Sequence, residues 1–210
     1  MNQSIAGELP KFSLDLAFRG DRNYVTGADV FDQLESELRQ SRDLSAWSLS
    51  EIVFLHKTCN NINVCFDDAK PLSGLLGSFG IISANRDSEL RGWLIDSGST
   101  VSRMLPFDEK ALLKESYFNF ETKKARIAVP PEYTSIQAIV AGTKELCTSV
   151  VPEGGKWIFG SLRLKAALNE LHGWEISLSL TRMVMNRFAS IEISSDTQLI
   201  GTIHFIKELS

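Results

Sequence analysis

Two stretches of the chain can be laid over one another without a gap. SFGIISANRDSELRGWLID at 78–96 sits above RFASIEISSDTQLIGTIHF at 187–205, at a constant offset of 109 residues. Phe79 meets Phe188, Ile82 meets Ile191, Asp87 meets Asp196, Leu90 meets Leu199 and Gly92 meets Gly201. A repeat of this kind constrains architecture more than any single motif, because each copy must form the same supersecondary unit. Both copies read as a strand, a polar turn and a second strand, which predicts a β-hairpin.

A second match lies upstream, at an offset of 108: YVTGADVFDQLESEL at 24–38 against EYTSIQAIVAGTKEL. Thr26 meets Thr134, and each is placed to cap a helix. Apolar residues follow at helical spacing, Val30, Phe31, Leu34 and Leu38 in the first copy. Between helix and hairpin each copy has two more strand-like runs, SEIVFLHKT (50–58) and NINVCFD (61–67), then WIFGSLRL (157–164) and WEISLSL (174–180). One further strand precedes each helix, FSLDLAF (12–18) and YFNFETKKARIAV (117–129). The expectation is an α+β chain of two β-α-β-β-β-β repeats. Each repeat has an antiparallel sheet wrapped around one helix, because a sheet with one apolar face must bury it. The repeats are expected at 1–100 and 115–210, with a linker at about 101–114, and to pair as one pseudo-dimeric unit.

The bulk numbers exclude several classes. At 43% hydrophobic and 23% charged, the 210 residues have the composition of an ordinary globular chain. No apolar run approaches the roughly 18–20 residues that span a bilayer, and MNQSIAGELPKF lacks the regions of a signal peptide. A cytoplasmic protein with no membrane partner is expected. The net charge of −4 and the scattered basic residues give no sign of a nucleic-acid binder. Cys59, Cys65 and Cys147 lack metal spacing and are odd in number, so neither a zinc site nor a disulfide framework is expected.

The order β-α-β-β-β-β, with the segment GWEISLSLTRMVMNRFASIEISSDTQLIGTIHFIKE, resembles the hotdog-fold superfamily, in particular the ends of its thioesterases and dehydratases. Arg187, Phe188, Ala189, Asp196, Leu199, Gly201 and Phe205 carry that resemblance. It covers both halves, so the chain looks like a tandem, or double, hotdog. The resemblance implies binding of acyl thioesters of coenzyme A or acyl carrier protein, dehydratase-like or thioesterase-like chemistry, and no metal or redox cofactor. It leaves open a homodimer of double hotdogs. The thioester would sit near a helix N-terminus, where free N–H groups and the positive end of the helix dipole polarise its carbonyl.

In the dehydratase branch an acid lies five residues after a helix-leading Gly, and Asp32 stands so after Gly27. By that resemblance Asp32 is the candidate general acid. The branch's His would fall near Phe18, and Val140 replaces the acid in the second half. Asp21 offers an acid in the loop before the helix, and His56, alternating with Phe54 and Thr58, could supply a base from a strand face. Asn23, Tyr24, Thr26 and Gly27, with Tyr133, Thr134 and Gln137 in the second half, are the expected substrate-binding residues. Some hotdog thioesterases hold a water with an Asp, a Ser or Thr and a Gln drawn from both halves, a division that Asp21 or Asp32 with Thr134 and Gln137 would fit. Arg182 and Arg187 suit either contact with a phosphopantetheine or acidic carrier protein, or a solvated strand edge.

Two rival readings stand beside this one. The missing His and the lost acid at Val140 fit a non-catalytic hotdog that binds an acyl chain or pairs with an active partner. GWLIDSGSTVSRMLP at 92–106 spells the catalytic loop of a retropepsin-like aspartic protease around Asp96, with WIFG at 157–160 as the second fragment.

Overall fold

The structure is a computed structural model that describes residues 10–67, 69–168, 176–195 and 198–208. The chain divides into two compact units, Met1–Phe107 and Asp108–Ser210. Each is α+β, a mostly antiparallel sheet with few helices.

The first unit runs β1 (Phe12–Leu14), β2 (Phe18–Arg19), α1 (Gly27–Gln40), β3 (Trp47–Phe54), β4 (Asn60–Cys65), β5 (Leu75–Ser83), β6 (Glu89–Thr100) and β7 (Met104–Leu105). β1 pairs with β4, β4 with β6, β6 with β5 and β5 with β3, all antiparallel. Helix α1 begins at Thr26, whose hydroxyl accepts from the Asp29 N–H. Val30, Phe31, Leu34 and Leu38 are buried as their spacing predicts, and the helix packs on β1 and β3. Each such side chain contributes about 1.5–3 kcal/mol when fully buried. Leu14, Ile52, Phe79, Ile81 and Leu94 supply the sheet's half of this core.

The second unit runs α2 (Glu109–Leu112), β8 (Tyr117–Asn119), β9 (Lys124–Ile127), α3 (Ser135–Val150), β10 (Lys156–Leu164), β11 (Ile176–Val184), β12 (Phe188–Ser195) and β13 (Gln198–Glu208). Here β8 pairs with β9, β9 with β11, β11 with β12, β12 with β13 and β13 with β10. Helix α3 packs on β9 to β12. Its last turn has no basic residue. The buried Lys207 of β13 supplies one, donating from Nζ to the Val151 and Glu153 carbonyls beyond the helix end. A cation there complements the dipole and satisfies carbonyls the helix leaves unpaired.

The two helices begin at the expected offset, with Thr26 and Thr134 both as caps. The hairpins do not keep theirs. β5 lies between β6 and β3, whereas β12 lies between β11 and β13. Phe79 faces Gly92, yet Phe188 faces Ile206, and Gly201 faces Ile193, five residues beyond Phe188. Phe79 is buried and Phe188 exposed. The physical reason lies in the register: the pairing of Ser195 with Gln198 stands four residues from that of Ile82 with Glu89 in the alignment, and a bulge between Ile193 and Ser194 adds one more. The even displacement keeps side chains on their faces, whereas the single-residue bulge turns Phe188 to the other one. Asp196 of the alignment, like His172 and Trp174, lies outside the described residues.

One further expectation is corrected. The run at 117–129 is not one strand: it folds back at a turn where Lys123 takes φ 56°, giving β8 and β9. The stretch at 101–114, expected as a linker, carries structure of its own. Val101 is buried and donates to the Cys59 carbonyl, β7 pairs in parallel with β2, and Leu112 of α2 is buried. No helix among the described residues is long and apolar enough to cross a membrane.

Candidate functional site

The loop into α1 is held at three points. Phe18 N–H donates to the Arg103 carbonyl, Gly20 N–H to that of Leu105, and Val25 N–H to that of Thr58. Between them Asp21 and Asn23 are exposed. Arg22 lies over the Phe107 ring at 5.1 Å, and the Lys57 ammonium over the Tyr24 ring at 5.2 Å. Phe18, where the dehydratase base would fall, sits in β2 against Met104.

The positive end of α1 is already occupied. Asp29, buried, receives Arg19 Nε at 2.7 Å on one oxygen and the Thr26 hydroxyl at 2.6 Å on the other. Its own N–H returns to Thr26 Oγ1 at 3.3 Å. The sequence carried a signal for this, the Thr-x-x-acid spacing of a capping box. Arg19 comes from another element and had none.

Asp32 is half-buried one turn further on. Three residues later Glu35 is buried and pairs with Arg39. Burial raises the Glu35 carboxyl above its ordinary value, opposed by the Arg39 charge and hydrogen bond. Asp32, Glu35 and Arg39 fall on one side of the helix by their spacing. Glu35 is the group on this helix that sequence reasoning passed over.

His56 is not on a strand face. β3 ends at Phe54, and the Leu55 and His56 N–H groups both turn onto the Leu76 carbonyl. The imidazole is exposed in that turn.

In the second unit Thr134 and Gln137 form a reciprocal box: Thr134 Oγ1 accepts from the Gln137 N–H, and Gln137 Oε1 from the Thr134 N–H. Gln137 is buried. The Tyr133 hydroxyl donates to the Asp108 carbonyl at 3.1 Å. No acid stands in the first turn of α3, and Val140, opposite Asp32 in the alignment, is half-buried.

Asp96 does not resemble half of a protease dyad. It lies inside β6, paired with Ile62. Thr58, Asn60 and the Gly98 N–H donate to its carboxylate at 2.8, 2.9 and 2.8 Å. The Gly98 N–H, chiefly, with Asn60 and Thr58, holds its carboxyl below the usual value against the effect of burial. These donors favour the anion, so its contribution to stability is present above the ordinary carboxylate range and is lost as pH falls through the lowered folded value. Asp96→Ala should cost about 1–3 kcal/mol near neutral pH. The difference from the native chain should shrink between about pH 5 and pH 2 in urea unfolding. A difference independent of pH would refute that role.

No family model and no curated protein matches the chain. Solved structures do. The pyran synthase domain from module nine of the sorangicin pathway is 9% identical, covers 98% of this chain and 96% of its own, and has a TM-score of 0.47. The tesB protein of Mycobacterium avium subs paratuberculosis is 12% identical, with 94% and 93% covered and a TM-score of 0.47. The dehydratase domain of PpsC from Mycobacterium tuberculosis, solved with C12:1-CoA, is 8% identical, with 94% and 92% covered and a TM-score of 0.42.

Proposed function

We propose that the chain is a tandem hotdog protein that binds an acyl thioester of coenzyme A or a carrier protein, and that it does so without a dehydratase's base. The tandem reading draws support from two capped helices at one offset, each laid on its own antiparallel sheet; the hairpin repeat no longer supports it. The observation that carries the binding reading is the contrast between the caps. The dipole of α1 is met by the Asp29 carboxylate, whereas α3 has a neutral Gln137 in the same place and no acid in its first turn. A partial positive charge with no internal anion favours an electron-rich carbonyl oxygen. We assign the thioester carbonyl to the α3 end, beside Tyr133 and Thr134. Asn23, Tyr24, Thr26 and Gly27 belong to the loop and cap of α1 and are not part of this assignment.

The non-catalytic version is favoured by one observation. Phe18 stands where the base would be, and His56 is held at the surface in a turn. Asp32 is the acid that this reading offers as proton donor. Intact-mass analysis after incubation with a panel of acyl and 3-hydroxyacyl thioesters tests this. Bound but unchanged thioester is expected. Loss of one water from a hydroxyacyl group, or release of free acid, abolished by Asp32→Asn, would instead establish dehydration or hydrolysis.

A further inference from the structure

The outer face of the second unit's sheet carries an apolar row that the thioester reading does not use. In an antiparallel sheet, residues directly opposite one another share a face. Ile158 on β10 lies opposite Ile206 on β13, Ile206 opposite Phe188 on β12, and Phe188 opposite Val184 on β11. The row therefore crosses four strands without a break. Phe188 is 47% exposed and Ile206 40% exposed. At the end of the row the β11–β12 turn presents Met185, 86% exposed.

That turn is strained for its sequence. Arg187 N–H closes it onto the Val184 carbonyl at 3.0 Å, and both central residues have positive φ, 51° at Met185 and 54° at Asn186. Such two-residue hairpin turns favour Asn and Gly. Asn186 suits its place, whereas a long apolar side chain at Met185 costs backbone energy and leaves hydrophobic surface in water.

The surround is cationic, although the chain as a whole carries −4. Lys156 precedes Ile158 by two residues on the same face, Arg182 likewise precedes Val184, and Arg187 leaves the turn; all three are exposed. His204, two residues before Ile206, lies opposite Ser161 and Ser190. Burial, then the Arg163 charge, depresses its pKa. Among the described residues, the acids on this face are Glu192 and Glu208, the latter opposite Lys156.

We propose that this face docks an acidic protein partner that presents an amphipathic helix, with its apolar stripe on Phe188, Ile206 and Met185 and its carboxylates toward Arg182 and Arg187. A second copy of this chain would bring one net-positive face against another across a symmetric contact. An anionic bilayer would repel Glu192 and Glu208 together, whereas a shaped partner can match or avoid them singly. This proposal rests on the carrier-protein side of the proposed function, to which the resemblance offered Arg182 and Arg187; the docking test needs no thioester, so its failure and the failure of thioester binding are distinguishable.

The test uses the full chain and a fluorescein-labelled synthetic helix with a leucine stripe flanked by glutamates, beside the same helix flanked by lysines. The acidic helix is expected to bind and the basic one not. Binding should weaken by about tenfold or more in Met185→Asn, in Phe188→Ser and in the double change Arg182→Glu with Arg187→Glu. Met185→Asn suits the turn, so an unchanged thermal midpoint keeps that variant informative if another unfolds. The proposal is overturned if neither helix binds, if both bind alike, or if these substitutions leave binding unchanged. It is equally overturned if the face instead binds phosphatidylglycerol vesicles, or if light scattering shows a dimer that Met185→Asn dissociates.

Discussion

Gly92→Val is expected to destabilise the first unit by about 3 kcal/mol or more, enough to consume much of a small unit's stability. Gly92 lies opposite Phe79, and a Cβ built on it would collide with three atoms of the Phe79 ring. That ring cannot simply move aside. It is 1% exposed and meets the edge of Phe66 at 5.3 Å and 80°. The glycine is therefore the space the phenylalanine fills. The coupling should show in a double-mutant cycle: in a Phe79→Ala background, Gly92→Ala should lose much of its cost. Gly201 gives the contrast. Its Cβ would meet the Arg163 carbonyl and Leu164 rather than Phe188. Gly201→Ala and Phe188→Ala should thus add independently, as measured by urea unfolding. Coupling of the second pair to the same degree as the first would mean that the two hairpins share a register after all.

Asp29→Ala is the second large effect, at about 2–3 kcal/mol. It removes the anion that Arg19 and Thr26 both donate to, and leaves a guanidinium three-quarters buried without that partner. Because Arg19 belongs to β2, the loss should loosen the β2–β7 pairing and open the loop at 20–25 to proteolysis before the unit unfolds. Asp29→Asn keeps an acceptor for Thr26 and should cost roughly half. Gln137→Ala, at the corresponding place on α3, removes a neutral cap partner and should cost only about 1 kcal/mol. Equal costs at Asp29 and Gln137 would refute the electrostatic contrast on which the placement of the thioester rests.

The helices were legible because their signals are local. Thr26 and Thr134 announce the caps, and Val30, Phe31, Leu34 and Leu38 announce the buried stripe. The strands were legible as runs, but not their order. Phe79 and Phe188 look alike in sequence, and a bulge between Ile193 and Ser194 decides that one is core and the other surface. A bulge belongs to the long-range pairing of two strands, which no window of residues records. The same limit applies to the site. Asp29 could have been read from its spacing after Thr26, but its partner Arg19 depends on β2 lying beside β7. His56 was misplaced because an alternating pattern continued past the point where β3 ends, at the double hydrogen bond to the Leu76 carbonyl.

The most direct test of the central claim is a calorimetric titration of the full chain with a long-chain acyl-coenzyme A, beside free coenzyme A and the free fatty acid, at several temperatures. Acyl-thioester binding is expected to be tighter than either fragment by about tenfold or more, with a negative heat-capacity change from apolar burial. Equal affinity for coenzyme A alone, or no binding of the thioester at any temperature, would contradict it.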